Sequence, residues 1–178
     1  MDWKSMATPM NSNLKLLCDD TSNLFHPIVY IQVIGSLMYL VNTRLDICFA
    51  VNALSQYMLA PRYVHWIATK HILRYLKGTI GHGLSYVSDR KMELLGYTDS
   101  NWVGNTADRK STSRCCFSLG SSMISWYCRK QTSVALSTTE AEYIATCGAS
   151  KEAVWLRKLL LVGLFDQELD VTVIHCDN

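Results

Sequence analysis

Three carboxylates stand where this sequence could build a reactive centre: Asp99, Glu142 and Asp177. Alternation along Leu95-Gly96-Tyr97-Thr98-Asp99 predicts a strand with Asp99 at its C-terminal tip, on the face of Leu95 and Tyr97. Asp177 stands in the same way just past the β-rich run 171–176. If those two strands are parallel neighbours, both carboxylates lie side by side at the edge where open α/β sheets place their sites. Like charges that close repel unless a cation sits between them.

Glu142 belongs to Ser137-Thr138-Thr139-Glu140-Ala141-Glu142-Tyr143, at the start of a long helical pattern. Two capping boxes compete there, Ser137 with Glu140 and Thr139 with Glu142. If Ser137 caps, Glu142 is free to point at the sheet edge. Asp99, Glu142 and Asp177 supply only oxygen ligands, which suit Mg²⁺ or Mn²⁺ better than zinc. Oxygen-ligated metal pairs roughly 3.5–4 Å apart serve phosphodiester hydrolysis, one metal generating hydroxide and the other stabilising the leaving oxygen. The ordinary alternative is that the aspartates are turn residues at strand ends and Glu142 a partner of the helix dipole.

The elements that must position these groups can be read from periodicity. Residues 1–27 form an irregular lead-in, and 28–83 a helical segment with helices expected over 28–43, 45–59 and 62–77, the last closed by Gly78. From residue 84 to 178 the texture turns to short β-rich runs at 84–87, 93–100, 115–119, 122–126 and 133–137, read as an antiparallel meander. A helix over about 139–162, stopped by Gly163, precedes the last strand, 171–176. A strand reached across a helix is normally parallel to an earlier neighbour.

Hydrophobic residues make up 49% of the 178 and charged residues 18%, with 9 Gly and 3 Pro, which fits one packed domain with a helical appendage and argues against long disordered tails. A net charge of +2 neither demands nor excludes a polyanionic partner, so a nucleic-acid role must rest on local clusters. Two clusters qualify. Lys70, Arg74 and Lys77 recur on one face of the third helix, and Arg109-Lys110-Ser111-Thr112 falls in the loop after the Asp99 strand. The first is also ordinary compensation of a helix C-terminus. Seven cysteines lack the paired spacing of zinc sites, which points to buried thiols in a reducing compartment, and no secretory leader or membrane-length apolar run is seen. The expected location is intracellular, in cytoplasm or nucleus.

Several strings then carry a specific resemblance. Tyr97-Thr98-Asp99-Ser100-Asn101-Trp102-Val103-Gly104, Asp108-Arg109-Lys110-Ser111-Thr112-Ser113, Ile124-Ser125-Trp126 with Arg129-Lys130-Gln131, and Ala135-Leu136-Ser137-Thr138-Thr139-Glu140-Ala141-Glu142-Tyr143 resemble the ribonuclease H region of copia-type retrotransposon Pol polyproteins. Upstream, Gly35-Ser36-Leu37-Met38-Tyr39-Leu40, Thr43-Arg44-Leu45-Asp46-Ile47 and Arg74-Tyr75-Leu76-Lys77-Gly78-Thr79 are similar to the segment that family places between polymerase and nuclease.

The resemblance implies a mixed α+β, ribonuclease H-like fold that cuts the RNA strand of an RNA–DNA hybrid with divalent metal. By it, Asp99 matches the first-strand aspartate, Glu142 the helix glutamate and Asp177 the fourth-strand aspartate. The reverse transcriptase portion of the same polyprotein is the implied partner, and the family's fourth acidic position, further helices and last strand are expected beyond Asn178. Arg114 stands where the family has Gly, Leu45 where it has Pro, Asn101 where it has Asp and Ile31 where it has Arg. A glycine at a strand entrance often marks positive φ, so Arg114 is expected to strain the backbone. These departures keep two alternatives alongside the nuclease: an inactive relic or nucleic-acid-binding module of the same fold, and an integrase-like relative acting on DNA.

Overall fold

The computed structural model describes residues 4–11, 16, 23–87, 92–104, 108–160 and 170–176. The chain divides into two units, Met1–Gly83 and Leu84–Asn178.

In the first unit Pro27 opens helix α1 (Pro27–Leu40), at a position where a missing N–H leaves no helical bond unmade. Tyr30, Ile34 and Leu37 form its buried stripe. The helix stops at Leu40, earlier than the apolar pattern suggests, where the backbone tightens into i→i−3 bonds, Asn42 N–H to the Tyr39 carbonyl and Thr43 N–H to the Leu40 carbonyl. The expected single helix over 45–59 is instead a 3₁₀ turn, Leu45–Ile47, followed by α2 (Cys48–Ser55). Arg44 precedes this turn and is bonded across it. Its guanidinium donates to both oxygens of Asp46, at 2.9 and 2.7 Å, and to the carbonyl and hydroxyl of Thr79, at 3.1 and 2.7 Å. Asp46 also accepts from the Tyr75 hydroxyl at 2.7 Å, so this network ties the start of α2 to the end of helix α3 (Tyr63–Gly78).

The core of this unit gathers Tyr30, Ile34, Leu37, Ile47, Val51, Leu54 and Ile72. Two polar groups within it are satisfied. The Tyr30 hydroxyl donates to the Leu54 carbonyl at 2.9 Å, with burial pushing its pKa up to about 12. His65, fully buried, accepts the Arg62 N–H on Nδ1 and so presents Nε2–H to the Leu16 carbonyl, at 3.0 and 3.2 Å.

In the second unit β1 (Leu94–Asn101), β2 (Thr112–Leu119) and β3 (Ser122–Lys130) form the antiparallel meander. Helix α4 (Thr138–Lys158) then leads to β4 (Val173–Cys176), which joins β1 in parallel, giving the strand order β3-β2-β1-β4. Ala141, Ala145, Ala149 and Ala153 recur every four residues and are buried, so α4 approaches the sheet on a stripe of small side chains. Leu94, Cys115 and Phe117 meet that stripe from the sheet. Phe117 takes the space above Gly96, where an added β-carbon would lie 2.5 Å from its ring.

Two expected strands are absent. Residues 133–137 are loop, because Leu136 N–H and the Ser137 hydroxyl are committed to capping α4. Residues 84–87 are irregular, Val87 N–H turning to the Ser121 hydroxyl rather than to a strand. The expected helix stop at Gly163 lies outside the described residues. Four α-helices and a four-stranded mixed sheet among the described residues make a mixed α+β architecture consistent with a ribonuclease H-like fold.

Candidate metal centre near the end of strand β1

The start of α4 resolves the competition between its two capping boxes. Ser137 is the N-cap, its hydroxyl accepting from Glu140 N–H at 3.1 Å, while the Glu140 carboxylate reaches back to Leu136 N–H at 2.7 Å. Glu142 is thereby released toward the sheet. Its Oε1 accepts from the N–H and the hydroxyl of Ser100, at 3.1 and 2.8 Å, so the carboxylate is anchored one residue beyond Asp99. Its Oε2 is buried and accepts no hydrogen bond among the described residues. An ionised oxygen in that position is costly unless a cation or water meets it.

Asp99, expected at the strand tip, lies two residues before the end of β1 and is partly exposed; it faces Arg114, its cross-strand partner, with Oδ2 3.5 Å from Nη1. Both side chains are more than a third exposed, so the pair contributes little stability. The expected backbone strain at Arg114 is not found: the residue sits within β2 as a regular partner, and among the described residues the non-glycine positions with positive φ are Val103 and Arg109, at 50° and 55°. Asp177 lies outside the described residues. Cys176, just before it, pairs with Thr98, just before Asp99. Among the described residues no group of three or more His, Cys, Asp or Glu is placed to hold a metal.

The other candidate residues divide by exposure. Arg109 is exposed and Lys110 partly so, whereas Ser111 and Thr112 are buried. The Ser111 hydroxyl accepts from Val103 N–H at 3.4 Å and its carbonyl from Gln131 N–H at 2.8 Å, so Ser111 braces the loop from within. On α3, Lys70 lies over the rings of Tyr63 and Trp66, at 6.0 and 5.8 Å. Arg74 donates to the Lys4 carbonyl at 2.7 Å and His71 contacts the Thr8 carbonyl at 2.9 Å, so part of that basic face holds residues 4–11. Lys77 closes the helix as the basic residue of its last turn. Cys48, Cys115 and Cys128 are buried thiols, and burial pushes the Cys115 thiol up to about 11.

Two contributors escape sequence reasoning. Ser100 stands beside Asp99 in the string Tyr97 to Gly104, with nothing in the spacing to mark it as the Glu142 partner. Gln131 had a signal, its place in Arg129-Lys130-Gln131: its side-chain amide donates to the Ser113 hydroxyl and the Ala141 carbonyl, both at 2.9 Å, joining β2 to the first turn of α4 beside Glu142.

Comparison with known proteins adds a lineage. The chain is 42% identical over 98% of its length to the "Retrovirus-related Pol polyprotein from transposon RE2" of Arabidopsis thaliana, and 40% identical over the same share to that from transposon TNT 1-94 of Nicotiana tabacum. It spans 12% and 14% of those proteins. It is also 44% identical, over 71% of its length and 90% of the relative, to "Secreted RxLR effector protein 161" of Plasmopara viticola. No protein-family profile matches the chain, and no solved structure does. No helix among the described residues is long and apolar enough to cross a membrane.

Proposed function

Because the chain belongs to the retrovirus-related Pol polyproteins of copia-type transposons, we propose that 84–178 is a ribonuclease H-type unit that hydrolyses the RNA strand of RNA–DNA hybrids. In this reading 28–83 is the helical connection to the reverse transcriptase portion, and Asp99, Glu142 and Asp177 hold Mg²⁺ or Mn²⁺.

The observation that carries it is Glu142: a carboxylate fixed by Ser100, the residue that follows Asp99 in β1, with its second oxygen buried and without a hydrogen-bond partner among the described residues. An all-oxygen donor set of this kind fits a hard divalent cation. Bound there, the metal would supply activated water and charge stabilisation at the leaving oxygen. The chain's own part is positional. The Ser137 cap sets where α4 begins, Ser100 orients Glu142, and Gln131 ties the first turn of α4 to β2. Arg109 and Lys110, and Lys70 and Lys77 on α3, would meet phosphates of the hybrid as cations. Arg74 would do so with the part of its guanidinium that the Lys4 carbonyl leaves over, and Ser111 and Thr112 by shaping the loop.

A second reading, a relic that binds nucleic acid without cutting it, is favoured by one observation: Asp99 already faces a cation, Arg114. Cleavage of a labelled RNA–DNA hybrid in Mg²⁺ separates the two. Metal-dependent cutting that Asp99→Asn lowers by roughly a hundredfold or more supports the nuclease. Identical traces for both proteins leave the relic.

A further inference from the structure

We propose that Arg114 is a built-in competitor for the cation at Asp99, so that this chain binds divalent metal more weakly than the same carboxylates would without it. The inference rests on the metal-site reading above.

Three observations carry it. Asp99 and Arg114 are directly opposed in the β1–β2 register, so their side chains leave the same face of the sheet and cannot be separated without breaking the ladder. Arg114 Nη1 lies 3.5 Å from Asp99 Oδ2, within the space that a ligand to that oxygen would use. Arg114 Nε is buried although the side chain as a whole is 38% exposed, so part of the guanidinium is set into the surface. Nearby Lys130 is engaged by Asp108 and does not share this role.

The consequence is electrostatic. A single positive charge about 6 Å from a divalent ion, in a water-like dielectric, opposes binding by about tenfold. The arginine also satisfies part of the Asp99 charge that the metal would otherwise neutralise. Hydrolysis by this chain would then need more Mg²⁺ than the carboxylates alone dictate, and strand β2 would set the metal threshold.

The test is a titration of the full chain with Mn²⁺ alone, following free Mn²⁺ by electron paramagnetic resonance. Arg114→Gln is expected to bind about tenfold more tightly than wild type, Arg114→Lys close to wild type, and Asp99→Asn more weakly than either. Arg114→Thr, neutral and suited to a strand, gives a second charge-free variant if the glutamine disturbs folding, judged by circular dichroism. Equal affinity in wild type and a folded neutral variant, with Asp99→Asn still weakened, overturns the competitor and leaves the metal site standing. Absence of saturable binding throughout, or binding indifferent to Asp99→Asn, overturns the metal site and this inference with it.

Discussion

Two carboxylates, one in each unit, are treated in opposite ways. Asp46 has both oxygens bound by Arg44 and one shared with Tyr75, and the Arg44 guanidinium holds its carboxyl below the usual range. Glu142 has one oxygen doubly bound and the other buried without a donor among the described residues. A carboxylate that staples helices together is completed by the protein. The carboxylate proposed to take an external cation is the one left incomplete, at some cost to stability.

Exchanging each carboxylate for its amide should therefore separate activity from stability. Glu142→Gln is expected to lower hybrid cleavage by roughly a hundredfold or more while leaving the melting temperature unchanged or raised, since the amide oxygen can keep the Ser100 contact and the second oxygen, buried without a donor among the described residues, is removed. Asp46→Asn should lose about 1–3 kcal/mol in urea denaturation, because Arg44 and Tyr75 are left facing a neutral group. A fall in stability for Glu142→Gln matching that of Asp46→Asn would erase the distinction.

The glycines extend the contrast to packing. Gly96→Ala would drive a β-carbon to 2.5 Å from the buried Phe117 ring and should cost about 1–3 kcal/mol. Gly35 in α1 meets nothing within 4 Å, so Gly35→Ala should stabilise by up to about 1 kcal/mol. Urea denaturation of both variants measures the pair.

Acid should act on the helical unit through His65. Burial lowers its pKa in the folded protein, so below the ordinary histidine value of about 6.5 the unfolded chain takes up a proton that the folded chain refuses. Stability is then complete above that pH and falls as pH drops toward the folded pKa. His65→Gln should flatten the decline between about pH 6.5 and 5 in thermal melts. Asp46 adds a later loss. Its folded pKa is depressed, so its contribution is present above about pH 4 and disappears as pH falls through the lowered value.

Much of this molecule is legible along the chain, because periodicity and capping chemistry are local. The Ala141 to Ala153 stripe, the Ser137 cap and the alternation through β1 all act within a few residues, and the helices and strands they mark are found close to where they are expected. The structure departs from the local pattern in two places. The segment expected as one helix over 45–59 opens as a 3₁₀ turn where Arg44 reaches Thr79, and the run at 133–137 leads into the α4 cap in place of a strand.

The identities of Asp99 and Glu142, their oxygen chemistry and the kinship with copia-type Pol polyproteins were available from residue types and strings alone. Only the tertiary structure decided that Ser100 holds Glu142 and that Arg114 faces Asp99. Both contacts cross between elements, 42 residues apart in the first case. Such partners are chosen by strand register and helix placement, which arise from packing across the whole unit and leave no mark in the spacing of neighbouring residues.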